Sequence, residues 1–134
     1  MKRAGNYTNA HRLFAEAYAL RPNDPKIVHE FAQTKIKLAS SVRKNIQVKK
    51  RMNSEAAELL RKAISLSDNP TRTAWCWHDL AKTLNWLREP PSEVEAAFLR
   101  AITLRPDEPV FKSHYEEWKR RRGTGIVPGS EALR

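Results

Sequence analysis

The chain has 134 residues, 40% hydrophobic and 30% charged, which is enough apolar material for a buried core and excludes a disordered polyelectrolyte. No run approaches the ~18 apolar residues of a membrane-spanning helix, and the opening residues lack the apolar stretch of a secretory leader. With a single cysteine, Cys76, these features lead to the expectation of a soluble cytoplasmic protein with no disulfide and no membrane partner, and a net charge of +10 admits an acidic partner such as nucleic acid.

Hydrophobic spacing predicts six helices, over about 6–20, 25–51, 54–67, 73–88, 92–104 and 109–121, with a flexible tail over 123–134. In the first, Ala10, Leu13, Phe14, Ala17 and Leu20 recur at three- and four-residue steps and line one face. Leu20-Arg21-Pro22-Asn23-Asp24-Pro25 then ends that helix and starts another, with Asp24 as N-cap and Pro25 at the first helical position. Between Lys26 and Met52 there is neither proline nor glycine, so the second helix is expected to be unusually long, turning at Asn53-Ser54. The third carries Ala56, Leu59, Leu60, Ala63 and Ile64 and stops at Asp68-Asn69-Pro70. Trp77, Leu80, Ala81, Leu84 and Leu87 mark the fourth, and Glu89-Pro90-Pro91 closes it. Ser92-x-x-Glu95 reads as a capping box for the fifth, and Phe111, Tyr115 and Trp118 mark the sixth. No stretch alternates with the period of a strand.

One phrase occurs twice. Phe14-x-x-Ala17-x-x-Leu20-Arg21-Pro22 returns as Phe98-x-x-Ala101-x-x-Leu104-Arg105-Pro106, and Leu60-x-x-Ala63-x-x-Leu66 is a weaker copy between them. Such self-similarity signals a repeat architecture. Ala10-x3-Phe14-x2-Ala17-x4-Pro22 and Val94-x3-Phe98-x2-Ala101-x4-Pro106 resemble the second helix of the tetratricopeptide repeat (TPR), and Trp77-x2-Leu80-Ala81-x2-Leu84 resembles the first. The resemblance implies an all-α, right-handed α-solenoid of antiparallel helix hairpins, one array over 1–122, with about two full repeats and flanking half-repeats. In that register the chain is expected to be a piece of a longer solenoid or to pair with another chain. The three copies lie 46 and then 38 residues apart. Against the family's repeat of about 34, the larger excess falls in the second and third helices, as a lengthened hairpin. That feature is similar to the interferon-induced proteins with tetratricopeptide repeats, whose long basic helices line an RNA-binding channel.

The resemblance also implies a concave groove lined by first helices. The positions facing it are Lys26, His29, Gln33 and Lys37 in one repeat, and Trp75, His78, Lys82, Asn85 and Trp86 in the next. A peptide or protein partner is the implied occupant. The plainer alternative for Trp75 and Trp86 is packing against a neighbouring helix. The lysine and asparagine clamp that holds chaperone tails in some TPR proteins is not reproduced.

Charge supplies the second reading. Between Glu30 and Glu55 the chain has seven basic residues, Lys35, Lys37, Arg43, Lys44, Lys49, Lys50 and Arg51, and no acidic one. On one continuous helix, Lys37, Lys44 and Arg51 would form a row, with Arg43 and Lys50 beside it, a positive edge suited to RNA phosphates. Arg43, Lys44, Lys49, Lys50 and Arg51 are the candidate phosphate contacts; a solvated helix face is the bland alternative. Catalysis finds no support: Cys76 and His78 point about 200° apart on a helix, the four histidines are scattered, and no phosphate loop or nucleophile elbow is present. No enzyme activity, metal, cofactor or small-molecule substrate is expected.

Overall fold

A computed structural model describes residues 4–42 and 44–123. The described residues form six α-helices and no strand: α1 (Ala4–Leu20), α2 (Pro25–Ser41), α3 (Ile46–Leu66), α4 (Pro70–Trp86), α5 (Pro91–Leu104) and α6 (Pro109–Gly123). The chain divides into two compact units, Met1–Asp68 and Asn69–Arg134. Within each, helices consecutive in the chain pack together. The tail expected over 123–134 lies, from residue 124 onward, outside the described residues.

The doubled phrase folds into the same turn twice. After α1, the Arg21 amide donates to Ala17 O at 2.8 Å and the Asp24 amide to Arg21 O at 3.3 Å. After α5, Arg105 donates to Ala101 O at 3.0 Å and Glu108 to Arg105 O at 3.1 Å. The prolines cannot extend the helix, so the chain turns at Arg-Pro and restarts at the next proline. Asp24 Oδ1 caps α2 by accepting from the Lys26 and Ile27 amides.

The expected turn at Asn53-Ser54 is not there. The second helix stops at Ser41, and α3 runs unbroken from Ile46 to Leu66. Ser40 and Ser41 hydroxyls donate back to Lys37 O and Leu38 O at 2.7 and 2.6 Å, which competes with the amides that would continue the helix. Asn45 then caps α3, its Oδ1 accepting from the Val48 amide at 3.0 Å. Asn53 sits buried mid-helix, its Nδ2 donating to Lys49 O at 2.9 Å. The asparagine that makes the turn is therefore Asn45. Helix α2, at 17 residues, is no longer than α1 or α4, and α3 is the longer of the pair at 21.

The first unit packs α2 and α3 closely through small residues: Ala32, Ala39, Ala56 and Ala63 are fully buried beside Val28 and Leu60. Helix α1 lies against α2 less completely. Leu13 and Leu20, expected on its buried face, are 56% and 83% exposed. It is held by Tyr18, whose hydroxyl accepts from Lys62 of α3 at 2.9 Å, and by His11. Lys35, read in the sequence as part of the positive edge, has its side chain only 12% exposed. Its ammonium donates to His11 Nε2 at 3.0 Å and to Glu55 Oε1 at 3.1 Å, joining all three helices. Burial and the neighbouring ammonium push the His11 imidazole below its usual range, so it stays neutral and accepts that bond.

In the second unit, Leu80, Ala81 and Leu84 of α4 face Val94, Ala97, Phe98 and Ala101 of α5. Helix α4 ends with Arg88 at φ 63°, its amide reaching Asn85 O and that of Glu89 reaching Leu84 O. This is a Schellman cap in which arginine occupies the left-handed position usually given to glycine, at a cost of about 1 kcal/mol. The Ser92/Glu95 capping box does not form: Pro91 takes the first helical position and no side chain caps α5. Glu95 instead accepts from Tyr115 Oη at 2.7 Å and ties α6 to α5. Phe111, fully buried with Ala74 and Ala101, anchors the start of α6.

Candidate functional site: an aromatic cleft on the second unit

The face of α6 that meets α4 carries His114, Glu117, Trp118 and Arg121, three or four residues apart. Opposite it, α4 presents Lys82, Asn85 and Trp86. With Phe98 of α5, these residues line an open cleft of about 320 Å³. Three side-chain hydrogen bonds hold α6 in place around it. Trp118 Nε1 donates to Asn85 Oδ1 at 3.1 Å, His78 Nε2 and His114 Nδ1 are 2.7 Å apart, and Tyr115 bonds Glu95.

The cleft has an aromatic floor and a cationic rim. Trp118 is buried beside Phe98, whereas Trp86 is half-buried. Lys82 is exposed and forms no ion pair with another described residue. Glu117, the one carboxylate of the lining, is engaged by both Arg120 and Arg121, so its charge is balanced within α6. The arrangement can receive an apolar side chain and place an anionic group near Lys82 and Arg121.

The expected groove residues therefore separate. Lys82, Asn85 and Trp86 come together in the cleft. Trp75 packs edge-to-face on Phe111 at 4.7 Å and on His78 at 5.5 Å, helping to anchor α6. His78 and His29 are 3% and 4% exposed, so neither presents an edge to a solvent groove as expected. A first-helix position faces a groove only where the next helix leaves it uncovered, and α6 covers His78 through His114. Lys26, Gln33 and Lys37 lie on α2 in the first unit; Lys26 and Lys37 are exposed and Gln33 half-buried. His114, Glu117, Trp118 and Arg121 were missed as site residues, although their spacing on a single helix face was visible.

The positive edge is also redistributed. The end of α2 at Ser41 breaks the row of Lys37, Lys44 and Arg51, and Arg43 lies outside the described residues. Lys44 lies in the connection, Lys49 is half-buried, and Lys50 and Arg51 are exposed on the first turns of α3. Cys76 is buried, and burial, with Asp79 nearby, pushes its thiol up to about 12, far from a reactive thiolate. No group of three or more metal-ligating side chains occurs among the described residues.

No protein-family model matches the chain, and no curated protein or solved structure matches it significantly.

Proposed function

We propose that this chain is a TPR-like interaction scaffold that takes a peptide or protein segment into the α4/α6 cleft of its second unit. The observation that carries the reading is the cleft wall itself, with Trp86, Phe98 and Trp118 next to the exposed ammonium of Lys82. Tryptophan in a partly desolvated pocket is the side chain most often responsible for binding energy at protein interfaces. A volume of about 320 Å³ accommodates one or two side chains of a segment, with the rest lying across the rim.

Selection of a peptide library on the full chain tests this. Enriched peptides should share a bulky apolar residue and lose affinity about tenfold or more on Trp86→Ala or Lys82→Ala, with helicity unchanged. Captured peptides indifferent to both substitutions would remove the cleft from the binding site.

A second reading, contact with RNA, rests on Lys37, Lys44, Lys50 and Arg51, which are exposed and form no ion pair with another described residue. It predicts salt-sensitive, sequence-independent binding that weakens about tenfold in the double variant Lys44→Glu/Lys50→Glu. An absence of RNA binding at low salt refutes it.

A further inference from the structure

Behind His114 of the cleft wall runs a chain of ionisable groups that the peptide reading leaves unused. His78 is 3% exposed, and its Nδ1 has no hydrogen-bond partner. That nitrogen lies 3.4 Å from Asp79 Oδ1. The other ring nitrogen, Nε2, is 2.7 Å from Nδ1 of His114, which lines the cleft. Two neutral imidazoles at this distance share one proton, and the position of that proton is determined by what surrounds the pair. A lone pair on His78 Nδ1 would be buried facing a carboxylate, whereas an N–H there is stabilised by it. The proton therefore belongs on His78 Nδ1. His78 Nε2 must then accept, His114 Nδ1 must donate, and Nε2 of His114, a lining residue of the cleft, is left as a lone pair.

Acid reverses the outer end without breaking the chain. One added proton is accommodated on His114 Nε2, and the hydrogen bond between the rings stays intact with either ring as donor. A second would place two N–H groups face to face at 2.7 Å and is disfavoured. The charged groups of the lining beside His114 are Lys82 from α4 and Glu117 and Arg121 from α6, with His78 and its neighbour Asp79 of α4 behind it; the α5 residue of the lining is Phe98. Burial, the His78 ring and Lys82 all hold the His114 imidazole below its usual range. An anion seated between Lys82 and Arg121 offsets the repulsion from the Lys82 ammonium, so anion binding and proton uptake at His114 favour each other.

We propose that the Asp79–His78–His114 chain makes this cleft a pH-tuned receptor for a carboxylate carried on an apolar group. His114 presents an acceptor at neutral pH and a charged donor in acid. The proposal rests on the peptide-binding reading for its natural ligand, whereas its chemistry is tested with 3-phenylpropionate, an aromatic carboxylate that stays ionised through the range used.

Imidazole nitrogen NMR on the free full-length chain should find protons on His78 Nδ1 and His114 Nδ1, with His114 Nε2 bare at about pH 7.5. A protonated His114 Nε2 at that pH overturns the relay whatever the ligand. Affinity for 3-phenylpropionate should rise about fivefold between about pH 7.5 and about pH 5.5, and 3-phenylpropionamide should show no such rise. The rise should disappear in His114→Gln. If that variant does not fold, Asp79→Asn, which keeps both histidines, should flatten it. An affinity independent of pH, or no binding of the acid at either pH, overturns the receptor. Peptide selection sensitive to Trp86→Ala would still stand in that event, so the two failures are distinguishable.

Discussion

Asn53→Pro is expected to cost the α2–α3 hairpin about 3 kcal/mol or more, and to erase amide protection across the middle of α3. Proline at this position removes an amide from the helix ladder and presses its ring on the carbonyl of Lys49. The native Asn53 also donates to that carbonyl at 2.9 Å from a buried side chain. A domain of this size is stabilised by only several kcal/mol in total, so the loss should be visible as a large drop in melting temperature. The substitution separates two geometries cleanly. Were Asn53-Ser54 a turn, proline would be accommodated with little loss; an unchanged melting curve and intact hydrogen-exchange protection over residues 46–66 would disprove the continuous α3. Asn45→Ala, by contrast, should cost about 1 kcal/mol through loss of the cap.

Phe111→Ala carries the other large effect, about 3–5 kcal/mol. The ring is fully buried, 4.7 Å from Trp75 and 5.2 Å from His78, and it is the principal apolar plug between α6 and the α4–α5 hairpin. Further along the seam Tyr115 and Trp118 pack on Phe98 and make hydrogen bonds to Glu95 and Asn85, and those bonds depend on geometry that the plug helps to provide. The expected result is release of α6 before α4 and α5 unfold, read as lost near-ultraviolet ellipticity from Trp118 at temperatures where most helicity persists. A simultaneous loss of both signals at the wild-type temperature would show that Phe111 does not anchor α6. The cleft would disappear with α6, so this variant should also lose any ligand that Lys82→Ala weakens.

Much of this architecture was readable from local rules. Arg-Pro followed two residues later by acid-Pro permits little except a helix end and a capped restart, and the two copies make the same turn. Alanine at positions 56, 63, 81 and 101 marked the close-packed faces correctly. The α2–α3 turn was misplaced because asparagine is common in turns while serine pairs look innocuous in a helix. The deciding interactions were hydroxyls returning to carbonyls at Ser40 and Ser41, and the choice between two asparagines depended on which one the hairpin buries. Glu95 shows the same limit. Its spacing from Ser92 suits a cap, but a tyrosine 20 residues away offered a better partner. The cleft was half legible: α4 gave Lys82, Asn85 and Trp86, and the opposing wall on α6 required knowing that the sixth helix folds back over His78.

Helix α1 has a consequence for how the first unit comes apart. None of residues 6–20 is fully buried, and Tyr18 and His11 bind it to Lys62 of α3 and Lys35 of α2. A segment so attached opens at a free energy well below that of the α2–α3 hairpin, as a separate cooperative step. Its departure would uncover the Phe31 ring, on which both His11 and Tyr18 rest at about 5 Å. Lys35 would keep Glu55 in that open form and lose His11. The first unit is thus a two-helix kernel with a detachable third helix, and its lowest-lying excited state has a defined sticky surface.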